Sequence, residues 1–220
     1  MVLGPFVSDI FQEIDEDLRR DRFAKLWARY GMHLIVLAVL VVIATAAVTG
    51  WRQYQVKQRQ AEGVRFAAAL DLVRDGKSPE AIDAFAALAS TAGGGHAMLA
   101  RFEEAALKAR GGDAAGALAL YDQLAADQGI DPAYREMATL LASRAMLDKG
   151  DGAAAIDRLK PLTESASPWH PAVLELTALA QLRAGDRAAA RKTFQTLADD
   201  LQAPQGTRAR AAQMLTTLGS

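Results

Sequence analysis

Nine of the ten residues from Leu34 to Ile43 are Leu, Ile or Val, and no charge occurs between Leu34 and Val48. From Gly31 to Trp51 the one strongly polar side chain is His33, at the edge. Twenty helical residues span about 30 Å, the hydrocarbon thickness of a bilayer. The Leu34–Ile43 run contributes roughly −3 to −5 kcal/mol on an insertion scale when central in a membrane. Thr45 and Thr49 cost little, because their hydroxyls can bond back to the preceding turn. Trp27 and Tyr30 flank one end and Trp51 and Tyr54 the other, as interfacial aromatic belts do. The pattern predicts a transmembrane helix over residues 31–51, followed by a linker or helix extension over 52–61.

Two other readings fit less well. A buried core helix of this length is rarely apolar on every face. A cleaved signal has Ala44-Thr45-Ala46 in its favour, a small-x-small site. The 33 residues before Leu34, however, carry six carboxylates against five basic groups, whereas a signal's leading region is short and positive. Lys and Arg within fifteen residues of the span number five before it and four after it. That bias favours an N-terminus inside and a C-terminal domain outside.

Residues 1–30 read as an amphipathic juxtamembrane segment. Ile10, Phe11, Ile14 and Leu18 fall on one helical face, and Asp9 with Gln12 resembles a capping box. The segment either rests at the interface or docks on a membrane partner. Its acidic start argues against strong binding to anionic lipid.

Residues 62–220 are Ala-rich and self-similar. Aligned on Gly76, Gly112, Gly150 and Gly185, they repeat at spacings of 36, 38 and 35 residues. Five positions after each glycine stands Ala81, Ala117, Ala155 or Ala190; nine after, Phe85, Tyr121, Leu159 or Phe194; twelve after, Leu88, Leu124, Leu162 or Leu197. Seven before stands Ala69, Ala105, Ser143 or Ala178. Each glycine is expected to end one helix in a left-handed cap. Asp113, Asp151 and Asp186 then cap the next helix. The first repeat uses Lys77-Ser78-Pro79 instead, with Ser78 as cap and Pro79 at the first helical position. Small residues let the two helices of a hairpin approach closely, and the large residue and the Leu fill the space against the neighbour. Such hairpins cannot bury a face alone, so they stack. The stretch "APQGTRARAAQMLTTLGS" repeats the first-helix pattern only and reads as a capping helix. The expected class is all-α: an N-terminal amphipathic helix, one transmembrane helix, then a solenoid of about four degenerate hairpins plus that cap.

Composition narrows the chemistry. The formal net charge is −1, and no basic stripe marks a nucleic-acid footprint. With no Cys, disulfides, thiolate catalysis and Cys-type zinc sites are excluded. His33, His96 and His170 have no ligand partner at helical spacing, so no metal is expected. "TAGGGHAM" follows no strand and lacks a phosphate-loop pattern, so it reads as a loop. No catalytic constellation can be assembled; the chain is expected to be no enzyme and to need no cofactor. Partner-binding candidates are Arg65, Arg101 and Arg135, placed on the concave face of first helices, and Trp169, set between Pro168 and Pro171. Trp169 is either a binding anchor or packing for the turn between the third and fourth repeats.

The period, the Gly-Asp turn, and the Ala and aromatic of the second helix resemble the tetratricopeptide repeat. Leu takes the usual third small position, and the first-helix Trp and Tyr are missing. There is no Asn for the paired-asparagine clamp that holds a carboxylate in some members. The order of parts, a head ending "KLWARYG", one span, degenerate repeats and a closing "RARAAQMLTTLG", resembles the bacterial ancillary SecYEG translocon subunit family of the YfgM type. That resemblance covers almost the whole chain. It implies a protein of the bacterial inner membrane with a cytoplasmic N-terminus and a periplasmic repeat domain. It also implies association with the Sec translocon and with periplasmic chaperones, and it carries no catalytic residues. An anchored adaptor for another envelope complex, in division or wall synthesis, is the alternative.

Overall fold

The structure is a computed structural model. It describes the backbone of residues 6–164 and 167–219, and side chains from Trp27 onward apart from Ala38. Nine α-helices follow one another among these residues: α1 (Phe6–Arg74), α2 (Ser78–Thr91), α3 (Gly94–Arg110), α4 (Ala114–Ala126), α5 (Pro132–Asp148), α6 (Gly152–Leu159), α7 (His170–Arg183), α8 (Arg187–Asp199) and α9 (Gln205–Gly219). A 3-10 turn, Lys160–Leu162, follows α6, and no strand occurs among the described residues. The chain divides into two compact bodies, one ending at Gln60 and the other beginning at Ala61.

In the first body α1 runs without a break through the apolar stretch. The helix already includes Phe6, so the backbone of Asp9 lies inside α1 rather than at the N-cap position that the capping-box expectation gave it. The face formed by Ile10, Phe11, Ile14 and Leu18 falls outside the described side chains. Leu34, Ile35, Val36, Leu37 and Val39 through Ile43 are all exposed. Thr45 donates its hydroxyl to the Val41 carbonyl at 2.7 Å, the back-bond that makes a hydroxyl tolerable on an apolar helix. Trp27 lies over Gly31; a Cβ there would sit 3.2 Å from the indole. Among the described residues this is the one helix long and apolar enough to cross a membrane, with a stretch of mean hydropathy 2.6.

The second body is a solenoid of helical hairpins. Each helix packs on the next: α2 on α3, α3 on α4, α4 on α5, and so on to α9. First helices also meet, α5 with α7 and α7 with α9. The C-terminal part of α1 serves as the first helix of the first hairpin, with Ala69 and Phe66 against Ala81 and Phe85.

The turn inside each hairpin is built the same way four times. Gly76, Gly112, Gly150 and Gly185 have φ of 77°, 88°, 92° and 87°, values that L side chains rarely adopt. The glycine N–H bonds to the carbonyl three residues back, as Gly112 does to Ala109. The next residue's N–H bonds five back, as Asp113 does to Lys108. This is the Schellman termination. The aspartate that closes it also opens the following helix: Asp113, Asp151 and Asp186 accept from the N–H of Gly116, Ala154 and Ala189. In the first repeat Lys77 holds that place and makes no side-chain cap bond. Ser78 is therefore the first helical residue rather than the expected cap, and Pro79 is the second.

The repeating small residues are all buried: Ala81, Ala117, Ala155 and Ala190 on second helices, Ala69, Ala105, Ser143 and Ala178 on first helices. The Ser143 hydroxyl donates to the Thr139 carbonyl at 2.8 Å, so its burial leaves no polar group unpaired. Phe85, Tyr121, Leu159 and Phe194 fill the core, with Leu88, Leu124 and Leu197 a turn later. Leu162 departs from the pattern. Pro161 cannot donate to the ladder, α6 stops at Leu159, and Leu162 sits half-buried in the 3-10 turn. At the other end of α6, Gly152 lies so close to α7 that a Cβ would stand 2.8 Å from the Ala180 carbonyl and 3.3 Å from the Arg183 Cβ.

Candidate functional site

The C-terminal halves of two first helices, α5 and α7, border an open groove of about 470 Å³. Leu147, Leu179 and Leu182 form its apolar surface, and Arg144, Asp148 and Arg183 supply its charged groups. These residues occupy equivalent places, standing six, three and two positions before Gly150 and before Gly185. The same three places hold Leu70, Val73 and Arg74 in the first repeat and Ala106, Ala109 and Arg110 in the second. The two leucines of α7 also pack toward α9, beside Met214, Leu215 and Leu218.

The charges are unevenly matched. Arg144 Nε lies 3.4 Å from Asp148 Oδ1, one turn along the same helix. Arg183 has no ion-pair or hydrogen-bond partner among the described residues and is exposed. Both arginines lie near helix C-termini, where the helix dipole favours a cation. The close approach of Gly152 fixes the backbone beneath Arg183. One turn before Leu179 along α7, Glu175 takes a bidentate contact from Arg210 of α9, at 2.7 and 2.8 Å. That contact holds the Arg210 guanidinium more firmly charged than usual.

None of the four sequence candidates lines this groove. Arg65 is exposed on α1 with no partner among the described residues. Arg101 and Arg135 converge on one connection, that between α4 and α5. Arg101 Nη1 lies 3.2 Å from Asp127 Oδ2, and Arg135 Nη1 donates to Gln128 Oε1 at 2.7 Å. Trp169 is half-buried beside Leu159 and Val173, and its indole N–H donates to the Ala133 carbonyl at 2.7 Å. Its geometry is that of packing between the third and fourth repeats.

Other polar contacts tie repeats together. Arg158 of α6 donates to the Asp122 carboxylate of α4. Glu62 of α1 accepts from the Gly93 N–H at 3.3 Å and pairs with His96 Nδ1 at 3.2 Å, tying α1 to the start of α3. The stretch "TAGGGHAM" is therefore not the loop its glycines suggest: only Ala92 and Gly93 lie between α2 and α3, and Gly94, Gly95 and His96 are already helical. Among the described residues no group of three His, Asp or Glu side chains could hold a metal. The groove residues were missed in the sequence because each repeat fills those positions differently; counting back from the turn glycines would have found them.

Comparison with known proteins agrees with this architecture. Two solved structures of a putative kinesin light chain with nearly identical TPR-like repeats, from Podosopora anserina, align at TM-scores of 0.56 and 0.55, each at 16% identity over 70% of this chain and 83% of theirs. The MamA RS-1 ArsTM double mutant aligns at a TM-score of 0.52, 16% identity, over 72% of this chain and 94% of its own. At such identity the likeness is one of fold. No curated protein sequence matches the chain. The tetratricopeptide repeat-like domain matches residues 24–219, and the chain belongs to that family.

Proposed function

We propose that this protein is a membrane-anchored interaction scaffold, an accessory of the Sec translocon that links it to periplasmic chaperones. Residues 31–51 are the anchor, 1–30 the cytoplasmic head, 52–61 the helical connection, and 62–220 the periplasmic repeat domain. The observation that carries the reading is the row of exposed apolar side chains Leu34–Leu37 and Val39–Ile43 on the same helix that supplies the first repeat's Phe66 and Ala69. An exposed apolar surface of that length has a membrane as its natural solvent. A helical-repeat fold with an open groove suits protein partners. Tethering adds effective concentration, so weak contacts with other membrane proteins suffice.

The test is crosslinking in intact membranes. A photoreactive residue is placed at exposed positions of the repeat domain, and the adducts are identified. Translocon subunits and periplasmic chaperones are the expected partners, and loss of the translocon adduct on deleting residues 1–30 assigns that contact to the head. Adducts confined to division or wall-synthesis proteins overturn the translocon assignment. Extraction of the protein by alkaline carbonate overturns the anchor.

A further inference from the structure

We infer that Arg52, Lys57 and Arg59, on the stretch of α1 just past the apolar span, form a collar that binds the phosphates of anionic lipid headgroups. The inference rests on the anchor reading and adds the lipid chemistry that the anchor selects. From Arg22 to Ala61 the sequence holds no acidic residue. Arg52 and Lys57 are exposed and have no ion-pair or hydrogen-bond partner among the described residues. Arg59 is exposed too, and its hydrogen bond goes to a neutral group: Nη2 donates to Gln55 Oε1 at 3.4 Å. The first acid beyond them is Glu62, whose carboxylate is already held by the Gly93 N–H and by His96. Three positive charges are therefore left without a counter-charge from the chain.

Height above the span selects the counter-charge. α1 is unbroken from the span to Arg74, so the three bases stand at fixed levels. At the helical rise, Arg52 lies about 1.5 Å past Trp51, Lys57 about 9 Å and Arg59 about 12 Å. The headgroup zone on each side of a bilayer is about 5–8 Å thick. Arg52 falls inside it, and Lys57 and Arg59 reach back into it along their flexible stems. Trp51 and Tyr54 mark the same level. Their ring centroids are 6.3 Å apart, an aromatic pair of the kind that settles among headgroups. Arg52, Val56 and Arg59 are spaced by four and three residues and share one helix face. Two guanidinium forks on one face fit phosphate oxygens in pairs. An acidic protein would have to enter the headgroup layer to meet them, whereas phosphate is already there. The collar also works against the proposed orientation. Without it, Lys and Arg within fifteen residues of the span would number five before and one after, instead of five and four, a far stronger bias. Its place past the span thus serves something other than insertion.

The experiment places a photoreactive side chain at position 56 of the full-length protein, in nanodiscs of phosphatidylcholine and phosphatidylglycerol. Lipid adducts are identified by mass spectrometry. A probe there reads one leaflet, so bases on the other side of the span do not contribute. Phosphatidylglycerol should be about threefold richer in the adducts than in the disc, and the excess should fall with added salt. Arg52→Gln, Lys57→Gln and Arg59→Gln together should return the adducts to the disc's composition. Arg74→Gln, far along the same helix and paired with Asp71, should leave the excess unchanged. Adducts at disc composition in the wild type, or an equal excess in the triple variant, overturn the inference. Loss of the excess to millimolar inorganic phosphate at constant ionic strength assigns the collar to a free anion and overturns it as well. So do protein adducts in place of lipid adducts at position 56 in intact membranes. A second photoreactive position, 40, within the apolar stretch, tests the anchor separately. Lipid adducts there without the excess at 56 leave the anchor and remove only the collar. Absence of lipid adducts at both positions overturns the anchor too.

Discussion

The indole N–H of Trp169 donates to the carbonyl oxygen of Ala133 at 2.7 Å, across 36 residues of chain. Ala133 lies in the first turn of α5, and Trp169 immediately precedes α7. The bond joins the starts of two successive first helices, where the short α6 leaves room for a large ring. Trp169→Phe keeps most of the ring and loses the bond, and should cost about 1 kcal/mol. Trp169→Ala also loses the packing and should cost about 3 kcal/mol. Denaturant unfolding of the full-length protein in detergent, followed by circular dichroism, measures both. Equal losses would mean that the ring's packing contributes nothing, and no loss in Trp169→Phe that the hydrogen bond contributes nothing.

The doubled use of the turn aspartates gives a second expectation. Asp113→Ala, Asp151→Ala and Asp186→Ala should each cost about 1 kcal/mol. Ser78→Ala should cost far less, because Ser78 caps nothing. Lys77→Asp should stabilise by roughly 0.5–1 kcal/mol, supplying the acceptor that the other three turns have. Thermal melts of the five variants rank them directly.

Ala117 is completely buried where α3 and α4 cross. Ala117→Leu overpacks that crossing and should cost roughly 1–3 kcal/mol. Gly152→Ala should cost a similar amount, since its methyl would meet backbone rather than a movable side-chain tip. An unchanged melting temperature in either variant contradicts the corresponding contact.

How far the sequence reaches can be judged at particular residues. The glycines, their aspartates and the buried alanines were legible because backbone conformation and close approach each admit few residue types. Leu162 misled because spacing was weighed above Pro161, which ends the helix first. Ser78-Pro79 misled because a Ser-Pro pair reads as cap and first residue. The N–H of Lys77 is engaged by the Leu72 carbonyl, and the new helix starts one residue earlier than the proline suggests. The groove was hidden for another reason. Self-similarity reveals what repeats share, whereas a binding surface lies at the positions where they differ. Arg65, Arg101 and Arg135 share a residue type, whereas Arg144 and Arg183 stand at different repeat positions and yet border one groove.

Glu104 gives a pH-dependent expectation. Burial raises its pKa above the ordinary value near 4.5, and Lys108 works against the rise. The folded state thus binds this proton more tightly than the unfolded chain does. The stability that protonation lends is complete below the unfolded value and is lost as pH rises through the higher folded one. Glu104→Gln should therefore melt above the wild type at pH 7, and the difference should shrink as pH falls toward 4. A constant difference across that range would assign the effect to something other than ionisation.

The second helix of the third repeat has 8 residues, against 14, 13 and 13 in the others. In a linear array, order passes only between neighbours, so a thin link weakens cooperation between the segments on either side. Transient opening should then begin in the interior of the array, with amides of residues 152–164 exchanging with deuterium before those of α4 or α8. The stretch next to the α5–α7 groove is thereby the most readily remodelled part of the domain, and a ligand seated there would be felt first as slowed exchange in α6.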